Sequence, residues 1–208
     1  MGLDVAADRI VVTGPEGSVY PPAALLLAEI ERLKADLREA RQTIAELEAR
    51  ADVDPLLDVL NRRGFERELQ RSLAYVRRYG TPAVLMFIDL DGFKAVNDRH
   101  GHSAGDALLK IVAHALTAQV RASDLVARLG GDEFGVLMWN VEGPQAAGKA
   151  RDLETLIEQV SVMHEGARLS VGASVGMVPL AADMTPARLI DAADRAMYAR
   201  KRERRGQG

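Results

Sequence analysis

Between Pro21 and Val53 the apolar residues Leu26, Ile30, Leu33, Leu37, Ala40, Ile44, Leu47 and Ala51 alternate steps of four and three, with Glu, Arg and Lys dense between them. That spacing predicts the seam of a coiled coil. The alternative, one amphipathic helix lying on its own domain, calls for a wider apolar face than this stripe offers. Alanine at two seam positions weakens the packing and leaves the pairing adjustable. Pro21-Pro22 opens the segment and Asp54-Pro55 is expected to stop it, because proline disfavours helical geometry in the residue before it.

Beyond Pro55 the pattern shortens into alternating units. Asn61 reads as the cap of a helix running to about Tyr79, followed by a strand at 83–89, helices near 93–98 and 103–121, and strands near 124–128 and 134–139. A helix near 145–161, a strand at about 168–178 and a helix from about 186 to 202 follow. Helices interleaved with strands in this way predict one α/β sandwich. Three parts result: a flexible N-terminal segment over 1–20, a coiled-coil dimerisation helix over 21–53, and the α/β domain over 54–208. Within the first part, Arg9-Ile10-Val11-Val12 is β-prone and Gly14-Pro15-Glu16-Gly17 is a turn or break. Flexibility is the expectation there, and a strand-forming peptide that docks on a protein partner is the alternative.

Composition narrows the function. With 208 residues, 48% of them hydrophobic, the chain can bury one compact core and carry an appendage. A net charge of −3 and a pI near 5.9 give no global basic field, which argues against general nucleic-acid binding and turns the search towards a pocket. The absence of cysteine removes disulfide and thiolate chemistry and is compatible with a reducing cytosol. Ala23-Ala24-Leu25-Leu26-Leu27-Ala28 is too short for a membrane span and runs straight into charges, so a cytoplasmic protein is expected.

The candidate chemistry lies in two places. Arg128-Leu129-Gly130-Gly131-Asp132-Glu133-Phe134-Gly135-Val136-Leu137 sets two glycines and two acids between apolar runs. Glycine lets backbone approach a phosphate or sugar, and the carboxylates offer hard oxygens suited to Mg²⁺. Alone, the pentad is also ordinary hairpin-turn chemistry. The second place, Phe87-Ile88-Asp89-Leu90-Asp91-Gly92-Phe93-Lys94, is an apolar strand ending in acids, which an acid from a neighbouring hairpin can meet.

Together these motifs resemble the GGDEF-domain family of diguanylate cyclases, from about Asp54 to Arg205. The resemblance implies a palm-like, ferredoxin-like fold related to nucleotidyl cyclases. It also implies a homodimer that joins two GTP molecules into cyclic di-GMP and releases pyrophosphate. It assigns Mg²⁺, with Mn²⁺ as a substitute, to Asp89, Asp132 and the Leu90 carbonyl, with Glu133 assisting the metal or the attacking hydroxyl. Gly92, Phe93 and Lys94 enter a helix whose free N–H groups favour phosphate. Asp91 reads rather as a cap of that turn, and Phe93 as core. Asn97 and Asp106 match the guanine-reading pair, against simpler readings as a helix-end residue and a surface acid. His100 and His102 support the Gly101 turn.

Lys201 and Arg205, one helical turn apart, match the family's triphosphate pair, although a basic solvated tail would look similar. Arg121-Ala122-Ser123-Asp124 matches the Arg-x-x-Asp inhibitory site for product; as a bare tetrapeptide it is also a routine salt bridge at a helix end. Two departures stand out. Arg204 occupies a position where the family usually has glycine, and Leu57-Asp58 replaces the common Thr-Gly. The alternative function is a catalytically silent sensor of GTP or cyclic di-GMP that signals through the coiled coil.

Overall fold

The structure, a computed structural model, describes residues 12–13, 19–20 and 23–206; residues 12, 13, 19, 20, 23, 24, 42, 44–50 and 205 are described in their backbone only. The chain divides into two compact units after Arg50. In the first unit, β1 (Val12–Thr13) and β2 (Val19–Tyr20) form an antiparallel pair with Val12 opposite Tyr20. Of the β-prone stretch only Val12 is described, and it lies in β1; residues 1–11 and 14–18, with the expected turn at Gly14-Pro15-Glu16-Gly17, lie outside the described residues. The unit continues in α1 (Ala23–Arg50).

Leu26, Ile30, Leu33 and Leu37 on α1 are each close to half exposed (50, 46, 53 and 50%), a row of apolar side chains that their own unit leaves uncovered. The side chains of Ile44 and Leu47 lie outside the description. The helix ends at Arg50, earlier than expected, and Ala51 sits in a turn. Asp54-Pro55 does different work: Asp54 Oδ1 accepts the N–H groups of Leu56 (2.9 Å) and Leu57 (3.1 Å), building a turn within the second unit. Among the described residues no helix is long and apolar enough to cross a membrane.

In the second unit, β3 (Leu60–Asn61) leads into α2 (Arg62–Tyr79), where Asn61 Oδ1 accepts from the Gly64 amide at 3.0 Å, the expected cap. Then come β4 (Ala83–Asp91), α3 (Phe93–His100), α4 (His102–Gln119), β5 (Leu125–Arg128), β6 (Glu133–Trp139) and α5 (Gly143–Gln159). The last elements are β7 (Val162–His164), β8 (Ala167–Leu169), β9 (Gly172–Pro179) and α6 (Pro186–Gly206). The single strand expected near 168–178 is thus two structures. Glu165 (φ 48°) and Gly166 (φ 81°) both take left-handed backbone and fold β7 onto β8 as a tight hairpin, and only β9 joins the main sheet.

That sheet has the order β3-β5-β6-β4-β9, with β4 antiparallel to both neighbours and β3 parallel to β5. Alternation along β4 sorts the core into two layers. Val84, Met86, Ile88 and Leu90 pack with Leu109 and Val112 of α4 and Leu153 and Ile157 of α5. Leu85 and Phe87 pack with Phe65 and Leu69 of α2 and Leu189, Ala193 and Met197 of α6. The result is an α/β sandwich with helices on both faces. Gly176 of β9 lets α6 lie close: a Cβ there would run into the backbone of Met197 and stand 2.5 Å from Ala193 O.

Candidate active site

The odd-numbered face of β4, buried under α2 and α6, ends in Asp89 and Asp91, so the strand's alternation carries both acids to the edge of an apolar layer. Register with β6 sets Asp89 opposite Glu133, and the Leu90 amide donates to Asp132 O at 3.1 Å. The three acids thus meet where two neighbouring strands leave the sheet. Lys201, one turn beyond Met197 on α6, donates through Nζ to Asp89 Oδ1 and lies 3.7 Å from Asp91 Oδ1. Asp91 also accepts from the buried Ser174 hydroxyl at 2.8 Å. The capping expectation for Asp91 is therefore corrected. The N-cap of α3 is Gly92, in left-handed backbone (φ 85°) with no side-chain cap, and the Asp91 carboxylate turns back to Ser174 and Lys201 instead.

Burial and then repulsion from Asp89 hold the Asp132 carboxyl above its ordinary range, against the pull of Lys201 and Arg128. Glu133 is raised as well, first by burial and also by neighbouring acids, with Arg62 at 3.6 Å working the other way. Among the described residues no three His, Cys, Asp or Glu groups are gathered tightly enough to enclose a metal ion. The donor chemistry nonetheless fits a hard divalent cation: carboxylates held prone to protonation by burial, and then by one another's charge, are relieved by a positive ion.

Two arginines hold the glycine turn. Arg128 donates through Nε to Gly130 O (3.1 Å), through Nη2 to Gly131 O (2.9 Å), and pairs with Asp54 Oδ2 at 3.3 Å. Arg62 Nε donates to Leu129 O at 2.7 Å, and the Leu129 amide donates to Glu133 O at 2.8 Å. A Cβ on Gly130 would stand 2.5 Å from Glu133 Oε2, so glycine there leaves room for that carboxylate.

On the other side of β4, Phe93 is buried and its ring lies against Gly105 in the first turns of α4. Asn97 is half-buried; its Oδ1 faces Gly105, where a Cβ would collide with it, and is buried without a hydrogen-bond partner among the described residues. Asp106 is exposed on α4. Lys94 is exposed and pairs with Asp98 at 3.3 Å. His100 is half-buried and His102 exposed, on either side of Gly101 (φ 81°), where α3 gives way to α4. The Arg205 side chain lies outside the description.

Asp124 Oδ2 accepts the Arg121 amide and Oδ1 the Trp139 amide, both at 3.0 Å, while the Arg121 side chain is exposed. Asp124 is thus committed to backbone, unlike the helix-end salt bridge considered from sequence. Arg121 and Asp124 border a cavity of about 360 Å³ shared with Asp58 and Thr117. A second cavity of about 370 Å³ opens between Arg62, Glu133, Phe87 and Asp194. Sequence reasoning missed Arg128, Ser174 and the buried Glu154 discussed below. Arg128 flanks the glycine motif, but nothing in the sequence says that it grips backbone.

The family model for the diguanylate cyclase GGDEF domain matches residues 51–207. The chain belongs to this family. Among curated relatives, the diguanylate cyclase TpbB of Pseudomonas aeruginosa is 39% identical over 184 residues, covering 87% of this chain and 41% of TpbB. This chain therefore spans about two fifths of that relative's length. A sensory box/GGDEF family protein from Caulobacter crescentus superposes with a TM-score of 0.68 at 37% identity, covering 73% of this chain and 99% of that one. The P. aeruginosa diguanylate cyclase SiaD, solved in complex with its activator SiaC, gives 0.70 at 29% identity, covering 86% and 71%. In this GGDEF domain the Leu57-Asp58 departure has a visible consequence. Asp58 has φ 55°, in the left-handed region, which explains why glycine commonly stands at that position and why aspartate is a tolerable substitute.

Proposed function

We propose that the protein is a diguanylate cyclase in which two copies, each holding one GTP, form cyclic di-GMP and two pyrophosphates. The observation that carries this reading is the meeting of Asp89, Asp132 and Glu133 at one strand end beside Lys201. Asp89 and Asp132, with the Leu90 carbonyl, would hold Mg²⁺ or Mn²⁺. Such an ion, when bound, polarises the phosphate under attack and stabilises the leaving oxygen. Glu133, its carboxyl raised by burial, is suited to accept a proton from the attacking 3′-hydroxyl.

Lys201 and Arg205 receive the triphosphate, and Lys94 adds charge at the start of α3 beside the Gly92 and Phe93 turn. Asn97, with an oxygen that has no hydrogen-bond partner among the described residues, and Asp106 accept the N–H groups of guanine. Arg121 and Asp124 border the cavity assigned to inhibitory product. Leu26, Ile30, Leu33 and Leu37 form the dimer seam that brings two domains together. Because SiaD is solved with an activator and its match covers 86% of this chain, more than the GGDEF domain alone, a regulatory protein partner is sought on residues 1–50.

The test is chromatographic detection of cyclic di-GMP from GTP and Mg²⁺, on protein stripped of bound product, beside an Asp132→Ala control. Product from the native chain and none from the control is the expected result. No product from the native chain would overturn the cyclase reading in favour of a nucleotide sensor, and equal product from both would overturn the role of Asp132.

A further inference from the structure

The last core residue of α6 is Met197, yet the helix continues to Gly206. Tyr198, the next residue, is 60% exposed. Lys201 therefore rides on a helix end that the apolar layer does not hold.

Glu154 holds that end. It belongs to α5, which packs on the opposite face of the sheet, and is only 4% exposed. Its Oε1 accepts the Val175 amide of the edge strand β9 at 3.1 Å and Arg200 Nε at 3.0 Å. Its Oε2 accepts Arg200 Nη2 at 2.7 Å and faces Arg204 Nη1 at 3.4 Å. Arg204 reaches Glu158 of α5 as well, and its Nε lies 3.8 Å from Asp91. One buried carboxylate thus ties α5 to α6 around the open edge of the sheet. Burial opposes its charge, but the Arg200 fork and the Val175 amide outweigh burial and keep the carboxyl below its ordinary range.

A two-pronged guanidinium contact fixes direction as well as distance. Arg200 immediately precedes Lys201, so the fork sets both the rotation and the height of α6 at the residue whose ammonium meets Asp89. We infer that Glu154 is a positioning residue for the nucleotide site, acting through Arg200 to place Lys201 where the triphosphate is received. The inference rests on the cyclase reading above. It also accounts for Arg204 at a position where the family usually has glycine: in this chain the residue forms part of the clamp.

The experiment is a double-mutant cycle on the full chain with Glu154→Gln, Lys201→Ala and the pair, with Arg200→Lys as an independent break of the fork. Melting temperature, KM and kcat for GTP with Mg²⁺, and GTP affinity by calorimetry are measured well below the melting range. Glu154→Gln and Arg200→Lys should each raise KM and weaken GTP affinity about tenfold, the scale expected from a displacement of under 1 Å. The pair should be no worse than Lys201→Ala alone, because the two residues act as one unit. A merely structural Glu154 would lower the melting temperature and leave KM unchanged, and that result overturns the inference, as does multiplication of the two effects in the pair. Should Glu154→Gln fail to fold, Arg200→Lys carries the same cycle. Should the native chain bind GTP and form no product, the cyclase reading fails while the affinities still decide this one.

Discussion

Arg128→Met should disable the site with only a moderate loss of stability. The substitution keeps an unbranched apolar stem and removes the hydrogen bonds to Gly130 O and Gly131 O together with the pair to Asp54. Gly131 is exposed and its carbonyl can turn to water, while Asp54 keeps the Leu56 and Leu57 amides. The stability cost is therefore about 1–3 kcal/mol, the range for losing charged hydrogen bonds whose partners are partly resatisfied. The functional cost is larger. Once the fork is gone, the described contacts left on the turn are those of Arg62 with Leu129 O and the Glu133 carboxylate and the Leu129–Glu133 and Leu90–Asp132 backbone bonds, and none of these holds the Gly130 and Gly131 carbonyls. A displacement of about 1 Å at a catalytic carboxylate lowers turnover on the order of a hundredfold. Arg128→Lys should fare nearly as badly, since a single ammonium nitrogen cannot reproduce the rigid planar spread by which Nε and Nη2 reach separate carbonyls. The assay is kcat for cyclic di-GMP formation at saturating GTP and Mg²⁺, with thermal melting in parallel. Turnover within twofold of native in a variant whose melting temperature has fallen would refute the claim that Arg128 holds the turn for catalysis.

Four further outcomes follow from the structure. Asp132 and Glu133 have raised carboxyl pKa values, so the stability they contribute is fully present below the ordinary carboxylate range and lost as pH rises through the raised values; without metal, Asp132→Asn should therefore raise the melting temperature at neutral pH. Mg²⁺ competes with that proton, so its apparent affinity in a melting titration should fall as pH drops through the same window, and a flat profile would count against Asp132 as a ligand. Asp58→Gly relieves a left-handed residue and should stabilise the domain by about 1 kcal/mol, read from denaturant midpoints; an unchanged midpoint would show that aspartate bears no strain there. Leu33→Asp with Leu37→Asp should make specific activity fall on dilution far more steeply than in the native protein, and parallel dilution curves would remove the seam from the mechanism.

The parts legible in the sequence are those encoded locally. Asn61 shows its capping role within three residues, and the strand expected at 83–89, which runs two residues further to Asp91, and the Gly130-Gly131 turn declare themselves by composition, so the pairing of Asp89 with Glu133 follows once the strands are recognised as neighbours. The hairpin at 162–169 is hard to read because each of its strands is only three residues long and mixes apolar residues with His164 or Arg168, and only the left-handed pair Glu165 and Gly166 separates them. The end of α1 was misplaced because a proline that forbids helix says nothing about where the helix has already stopped, and Asp54 proved to serve a turn of the second unit.

What the sequence conceals most completely is burial of charge. Glu154 sits in Arg151-Asp152-Leu153-Glu154-Thr155-Leu156-Ile157-Glu158, a helical pattern in which one acid is as good a candidate for solvent as another. Its partner Arg200 lies 46 residues away in a stretch whose abundance of arginine reads as a solvated tail. The pattern becomes informative only when α5 and α6 are seen to reach the same sheet edge from opposite faces. There Arg200 and Arg204 meet Glu154, the acid of α5 that is buried between them and the sheet edge. The same logic separates the two basic features of α6. Lys201 was visible because a motif placed it, whereas the device that holds Lys201 in place is spread over two helices and a strand and has no motif.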